Sequence, residues 1–352
     1  MRALRAVLVS VPLTLLVSAV AFALPAAAQP AAAPGTYKQA PGPLVVTMTL
    51  QDWQDAARQR PVPVKIYAPA TGPGPFPVIV FSHGLGGSRE GYKYLGRHWA
   101  SHGYVAVHVE HLGSDTAAFT KRPRGRLLAN MGADARESMT DPQNAVARPL
   151  DVRFVLDRLE KLNQGGSPLA HRLDLSKIGM AGHSFGAWTT LVVAGQRIGR
   201  EVVSGSAPTY ADPRVKAAIA MSAPIPRKGE DFDRAFAAIH IPVLHMTGTL
   251  DDSPLGETSA AERRIPYDHI HGADQYLVTF TGGDHMIFSG RLANVSERAA
   301  KDAVFQDLIL QGTTAFWDAY LKGDAAAKSW LEKGYGAVLG KDGKLEEKPG
   351  GK

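Results

Sequence analysis

The stretch Ile178-Gly179-Met180-Ala181-Gly182-His183-Ser184-Phe185-Gly186 decides the fold. Ile178–Ala181 is a short apolar run of the kind that forms a buried strand, and residues 185–196 read as a helix. Between them the chain must turn tightly at a serine with glycines two positions to either side. Glycines there leave room for the backbone to cross, and the serine hydroxyl then projects above the sheet near the positive end of the following helix. A bare G-x-S-x-G match is weak. In a strand–turn–helix setting it marks Ser184 as a candidate nucleophile rather than an inert turn residue.

A serine hydroxyl needs a base, and the base needs an orienting carboxylate. After a nucleophile in this setting the expected chain order is acid, then histidine. Strand Val243–Thr247 runs into Gly248-Thr249-Leu250-Asp251-Asp252-Ser253-Pro254, and strand Tyr276–Thr281 runs into Gly282-Gly283-Asp284-His285. Both lie just beyond strand ends, the edge where an open parallel sheet binds ligands. His285 is the expected general base and Asp251 the expected acid. Asp252 is the alternative, since one residue of difference in the turn would exchange them. Asp284 is expected to support its loop. The glycine-rich run Phe81-Ser82-His83-Gly84-Leu85-Gly86-Gly87-Ser88 follows an apolar strand and suits an oxyanion hole, with the backbone N–H groups of Leu85 and Phe185 as donors. His83 is expected to structure that loop.

Working outward, strand signals fall at Val45–Leu50, Val64–Tyr67, Val78–Ser82, Val105–Val109 and Val215–Met221, besides the three above. Several are continuous apolar runs, which suit a parallel sheet covered on both faces. Helical periodicity falls between them: around 91–101, along Val152, Val155, Leu156 and Leu159, and over 299–321, where Gly312 should weaken the middle. The alternation predicts one α/β domain over residues 45–340, a mostly parallel central sheet with helices on both faces. Residues 112–148, 197–214 and 223–239 lack periodicity and are expected to border a cleft.

Residues 1–28 read as a signal peptide. Arg2 and Arg5 precede an apolar run, and Ala26-Ala27-Ala28 supplies a small-residue cleavage site. Removal lowers the formal charge from +6 to +4. Residues 29–44 resemble a flexible leader, and 341–352 a disordered tail. With no cysteine, the chain has no disulfide, thiolate metal site or cysteine nucleophile. Secretion, or a bacterial periplasm, is expected, with no stable membrane insertion after cleavage. The positive charges are scattered, so no nucleic-acid partner is expected. His108-Val109-Glu110-His111 and Asp268-His269-Ile270-His271 contain metal-ligand types but no H-E-x-x-H helix, and no metal or other cofactor is expected. No phosphate-binding G-x-x-x-x-G-K run occurs. Trp188 is expected to pack in the core.

The segment Val78–Arg89 resembles the oxyanion region of the platelet-activating-factor acetylhydrolase-like hydrolases, and Gly182–Gly186 resembles their nucleophile elbow. Arg148–Asp157 resembles the helix preceding that elbow in bacterial members. The resemblance covers about residues 60–310. The same broad group includes dienelactone-hydrolase-like esterases and polyester hydrolases. The resemblance implies an α/β-hydrolase fold and a Ser-Asp-His esterase or lipase acting on small or lipid-like esters, or on polyesters, without a cofactor. It carries over Ser184, His285 and the donors Leu85 and Phe185. One departure is visible: the strand after the nucleophile helix leads into Ser222-Ala223-Pro224, with no acid, so the acid is expected one strand later. Amide cleavage on the same fold, and a catalytically silent binding protein, are the alternative readings.

Overall fold

A computed structural model describes residues 35–120, 141–198, 209–226, 229–290 and 296–351. The expected signal peptide, the first part of the leader, and residues 121–140 of the irregular 112–148 stretch lie outside the described residues.

The described strands are β1 (Val46–Asp55), β2 (Arg60–Pro69), β3 (Phe76–Ser82), β4 (Val105–Val109), β5 (Leu173–His183), β6 (Val215–Met221), β7 (Val243–Leu250), β8 (Gln275–Asp284) and β9 (Gly343–Lys348). They form one sheet in the order β1-β2-β4-β3-β5-β6-β7-β8-β9. The six from β4 through β8 run parallel, and β1, β2 and β9 are antiparallel to their neighbours. This is the mostly parallel sheet expected from the sequence, and it is consistent with an α/β-hydrolase fold.

The continuous apolar runs are explained by cover on both faces. Alternate residues of β3 point opposite ways. Ile79 and Phe81 enter a core with Trp99, Phe316 and Trp317. Val78 and Val80 enter another with Val152, Val155, Leu156 and Leu159. Trp99 belongs to helix α1 (Lys93–Ser101), and the Val152–Leu159 stripe to the helix Pro142–Gln164. Asp141 caps that long helix by accepting the Gln143 N–H at 2.8 Å. Phe316 and Trp317 belong to the helix Ser296–Leu321. Gly312 does not break this helix. A Cβ there would overlap the ring of Tyr335, so the glycine admits a buried aromatic side chain whose hydroxyl donates to the Leu308 carbonyl at 2.7 Å.

Two expectations at the chain ends are corrected. The tail read as disordered forms β9, paired with β8 from Gln275↔Lys348 to Phe280↔Gly343. Its Lys-Leu-Glu-Glu-Lys sequence has a single apolar residue, so no hydrophobic pattern announced it. The leader read as flexible is tied down over its described part. Tyr37 donates its hydroxyl to Asp318 at 2.8 Å, and the Trp330 indole donates to the Gly35 carbonyl at 2.8 Å. Among the described residues no helix is long and apolar enough to cross a membrane.

Trp317 is fully buried and meets Trp99 edge-on, with ring centroids 6.0 Å apart. Trp317→Ala is expected to cost about 3–5 kcal/mol of folding stability. Chemical denaturation checks this, and a loss below about 1 kcal/mol would contradict the packing described.

Candidate active site

The turn after β5 is governed by backbone contact. A Cβ on Gly182 would overlap the carbonyl of Gly186, and a Cβ on Gly186 would overlap the carbonyl of Ser82 on neighbouring β3. Only glycines let the helix Phe185–Ala194 start this close to two strands. Between them Ser184 takes φ 56° and ψ −121°, a conformation that L-residues rarely adopt. The Ser184 N–H donates to the Met221 carbonyl of β6 at 2.8 Å, and its carbonyl accepts the Ala187 and Trp188 N–H groups. The strained residue is thereby held from both sides.

The expected partners converge on it. His285, just past β8, places Nε2 3.0 Å from Ser184 Oγ and Nδ1 2.8 Å from Asp251 Oδ1. An ionised carboxylate accepts only, so Nδ1 carries the proton and Nε2 is free to accept from the serine. Asp251 Oδ2 also accepts from the hydroxyls of Ser222, at 2.5 Å, and Thr247, at 2.8 Å. Burial alone would raise the Asp251 carboxyl. The hydrogen bond from His285, the Arg263 charge and the Ser222 hydroxyl together hold it below the usual carboxylate range. Asp252 is not part of this cluster: its carboxylate accepts the Ala260 N–H at 2.8 Å. Asp284 accepts the Met286 N–H at 2.9 Å, supporting the loop as expected.

The loop after β3 is held by a buried polar network. His83 donates from Nδ1 to the Gly84 carbonyl at 2.6 Å and accepts the His111 N–H on Nε2 at 3.1 Å. Arg148 donates to the His83 carbonyl, to Ser114 Oγ at 2.8 Å and to Thr189 Oγ1 at 2.9 Å. Its guanidinium lies 4.4 Å from the centre of the Phe185 ring. One side chain thus grips both the loop bearing Leu85 and the residue after Ser184. Phe185 opens a helix, so its N–H has no partner within that helix.

A second relay joins loop and base. His183 Nε2 lies 2.9 Å from the His285 carbonyl and so must donate, which leaves Nδ1 to accept from the Tyr92 hydroxyl at 2.8 Å. Tyr92 in turn receives the Gly84 N–H at 3.4 Å. Sequence reading missed Tyr92 and the role of the elbow histidine, because neither carries a motif apart from its spatial neighbours. Trp188 is partly exposed, with its ring 5.4 Å from that of Phe185.

The structure also contains a Ser–His–Asp arrangement not anticipated from the sequence. Ser82 Oγ is 2.9 Å from His111 Nε2, and His111 Nδ1 is 3.0 Å from Asp151 Oδ2. All three residues are 0% exposed. Asp151 further accepts Arg60 at 2.9 and 3.1 Å. His108, by contrast, packs against Tyr67 and Phe81, and among the described residues no cluster of ligand types could hold a metal ion.

Comparison with known proteins places these features in a family setting. Residues 50–138 match the family model described as platelet-activating factor acetylhydrolase, isoform II. Platelet-activating factor acetylhydrolase of Cavia porcellus is 30% identical over 159 residues, covering 37% of this chain and 34% of that protein. Its counterpart from Canis lupus familiaris is 28% identical over 139 residues, covering 33% and 31%. The chain spans about a third of the length of these curated relatives.

Burial sets a pH dependence of stability. It pushes His83 and His183 well below the ordinary imidazole range, His111 and His245 to about 4, and His98 and His108 to about 3. These rings are neutral in the folded chain, while the unfolded chain takes up protons below about pH 6.5. They therefore cost no stability above that value, and stability falls progressively as pH drops from it toward the folded-state values of about 3 to about 4. The melting temperature is expected to be level from pH 7 to 8 and to drop steadily from pH 7 to 5. A level melting temperature down to pH 5 would contradict this.

Proposed function

We propose that this chain, an α/β-hydrolase related to the platelet-activating-factor acetylhydrolase-like serine esterases, hydrolyses carboxylic esters with Ser184 as nucleophile. His285 is its general base and Asp251 its orienting acid. One observation carries the reading: at a strained turn on the sheet rim, a serine hydroxyl lies 3.0 Å from a histidine whose other nitrogen is 2.8 Å from a buried carboxylate.

The buried set Ser82, His111 and Asp151 has the same connectivity, and access separates the two. Ser184 is partly exposed and His285 is 8% exposed, whereas the other set is sealed. A carbonyl carbon must come within about 3–3.5 Å of the attacking oxygen. Only the rim set offers that approach. The Ser82 set serves by holding the strand end from which the oxyanion loop departs.

In the reaction, His285 Nε2 takes the Ser184 proton as Oγ attacks the ester carbonyl. The N–H groups of Leu85 and Phe185 receive the developing oxyanion, each such donor contributing about 3 kcal/mol in the transition state. The imidazolium then protonates the departing alcohol. Water, deprotonated by the same imidazole, releases the acid and restores Ser184. Small or lipid-like esters are the proposed substrates, with polyesters as a further class. The apolar run that follows Arg2 and Arg5 supports action outside the cytoplasm.

Ser184→Ala is expected to abolish both turnover of short-chain esters and labelling by a fluorophosphonate probe, while Ser82→Ala still labels. The reverse pattern would move the nucleophile to Ser82. Asp251→Asn is expected to lower kcat/KM about 10⁴-fold, because the Ser222 and Thr247 hydroxyls hold the amide oxygen and its NH2 then faces Nδ1, which favours the wrong imidazole tautomer.

A further inference from the structure

Arg263 lies in the short 3₁₀ turn Ala260–Arg264, which follows β7. The turn is built by the residues around it. Asp252 accepts the Ala260 N–H, and Ser259 and Glu262 close a capping box. It delivers a guanidinium that is 3% exposed to the far side of the Asp251–His285 pair. Nε donates to the Asp251 carbonyl at 3.1 Å and Nη1 to the Ser222 carbonyl at 2.9 Å. Those two carbonyls fix the plane of the group. Nε then sits 3.5 Å from Asp251 Oδ1, and Nη2 sits 3.4 Å from His285 Nδ1. Since Nδ1 carries its proton toward Asp251, it cannot also accept from Nη2. The contact sets a fixed positive charge against the ring that must become positive.

We propose that Arg263 is a positioning residue that sets the acidic limit of ester cleavage, opposing the charge that His285 acquires while anchoring the carboxylate that orients it. The inference rests on the assignment of Ser184, His285 and Asp251 above. Without Arg263, the full charge of Asp251 would favour the imidazolium even in the resting enzyme, and a protonated ring cannot take the serine proton. With it, a fixed positive charge 3.4 Å from Nδ1 opposes that protonation.

Charged and titratable groups reach the imidazole and the guanidinium from several elements. Asp251 faces the imidazole from the end of β7, and Asp284 precedes it on its own strand end, its carboxylate turned to the Met286 N–H. His183, from the end of β5, has its ring centre 4.7 Å away and is kept neutral by burial. Glu257, Glu262 and Asp252 act on Arg263 itself. Buried charges so close together are little screened by salt.

The test is the pH profile of kcat/KM on a short-chain ester, measured for the full chain and for Arg263→Lys, Arg263→Met and Arg263→Gln, with melting temperatures alongside. The acidic half-maximum is expected to rise by roughly one pH unit or more in the Met and Gln variants. It should stay near the parent value in the Lys variant, which keeps the charge. A merely structural role would lower the height of the profile and leave its midpoint in place. Superimposable midpoints for the parent and a folded neutral variant would overturn the proposal, as would a Lys variant that shifts as far as Met. Should Met fail to fold, Gln carries the same comparison. If Ser184→Ala retained turnover with the parent profile, the active-site assignment would have failed instead, so the two failures are distinguishable.

Discussion

The candidate site depends on a close backbone approach: the start of the helix Phe185–Ala194 pressed against the carbonyl end of β3. At Gly186 nothing larger than hydrogen fits beside the Ser82 carbonyl. That contact brings the end of β3 and the end of β5 to one point. Gly84 of the loop after β3 then lies against Ser184 and the His183 carbonyl. The strain held in Ser184 is tolerated because β6 and the first helical turn bind its backbone on both sides.

The polar interior beneath this point is unusually rich for a hydrophobic sheet edge. Ser82, His83, His111, Arg148 and Asp151 are all essentially inaccessible to solvent. Such groups are costly to bury unless each finds a partner. Here they are joined: carboxylate to imidazole, imidazole to hydroxyl and backbone, guanidinium to three oxygens and an aromatic face. The network shows why connectivity alone does not identify a reactive centre. Two sets of identical residue types share one connectivity, and they differ in solvent access.

The fold and the rim site were legible because both write themselves locally. Eight strands announced themselves as apolar runs, and Val105–Val109 and Val215–Met221 matched the observed elements residue for residue. Ser184, Asp251 and His285 each follow such a run, so their places at one sheet edge could be read directly. Asp251 and Asp252 could not be told apart, because the choice depends on which carboxylate the turn directs inward. Residues that act through distant contacts stayed hidden. Arg263 sits in an unremarkable polar turn, Tyr92 precedes a helix, and His111 lay in a run that suggested a ligand set. The strand β9 was hidden because an edge strand with one covered face needs little apolar sequence, and its charges looked like a solvated end.

That last strand bears on the durability of the site. β8 carries His285 at its end, and β9 makes it an interior strand rather than a border. Lys348 adds a tether by donating to the Tyr267 and Asp268 carbonyls at 2.7 and 3.1 Å. Proteolytic trimming that removes β9 would leave the row of peptide groups on β8 open to water and to other chains. His285 would then hang from a fraying margin, so the integrity of this edge strand bears on the candidate site as much as on the fold.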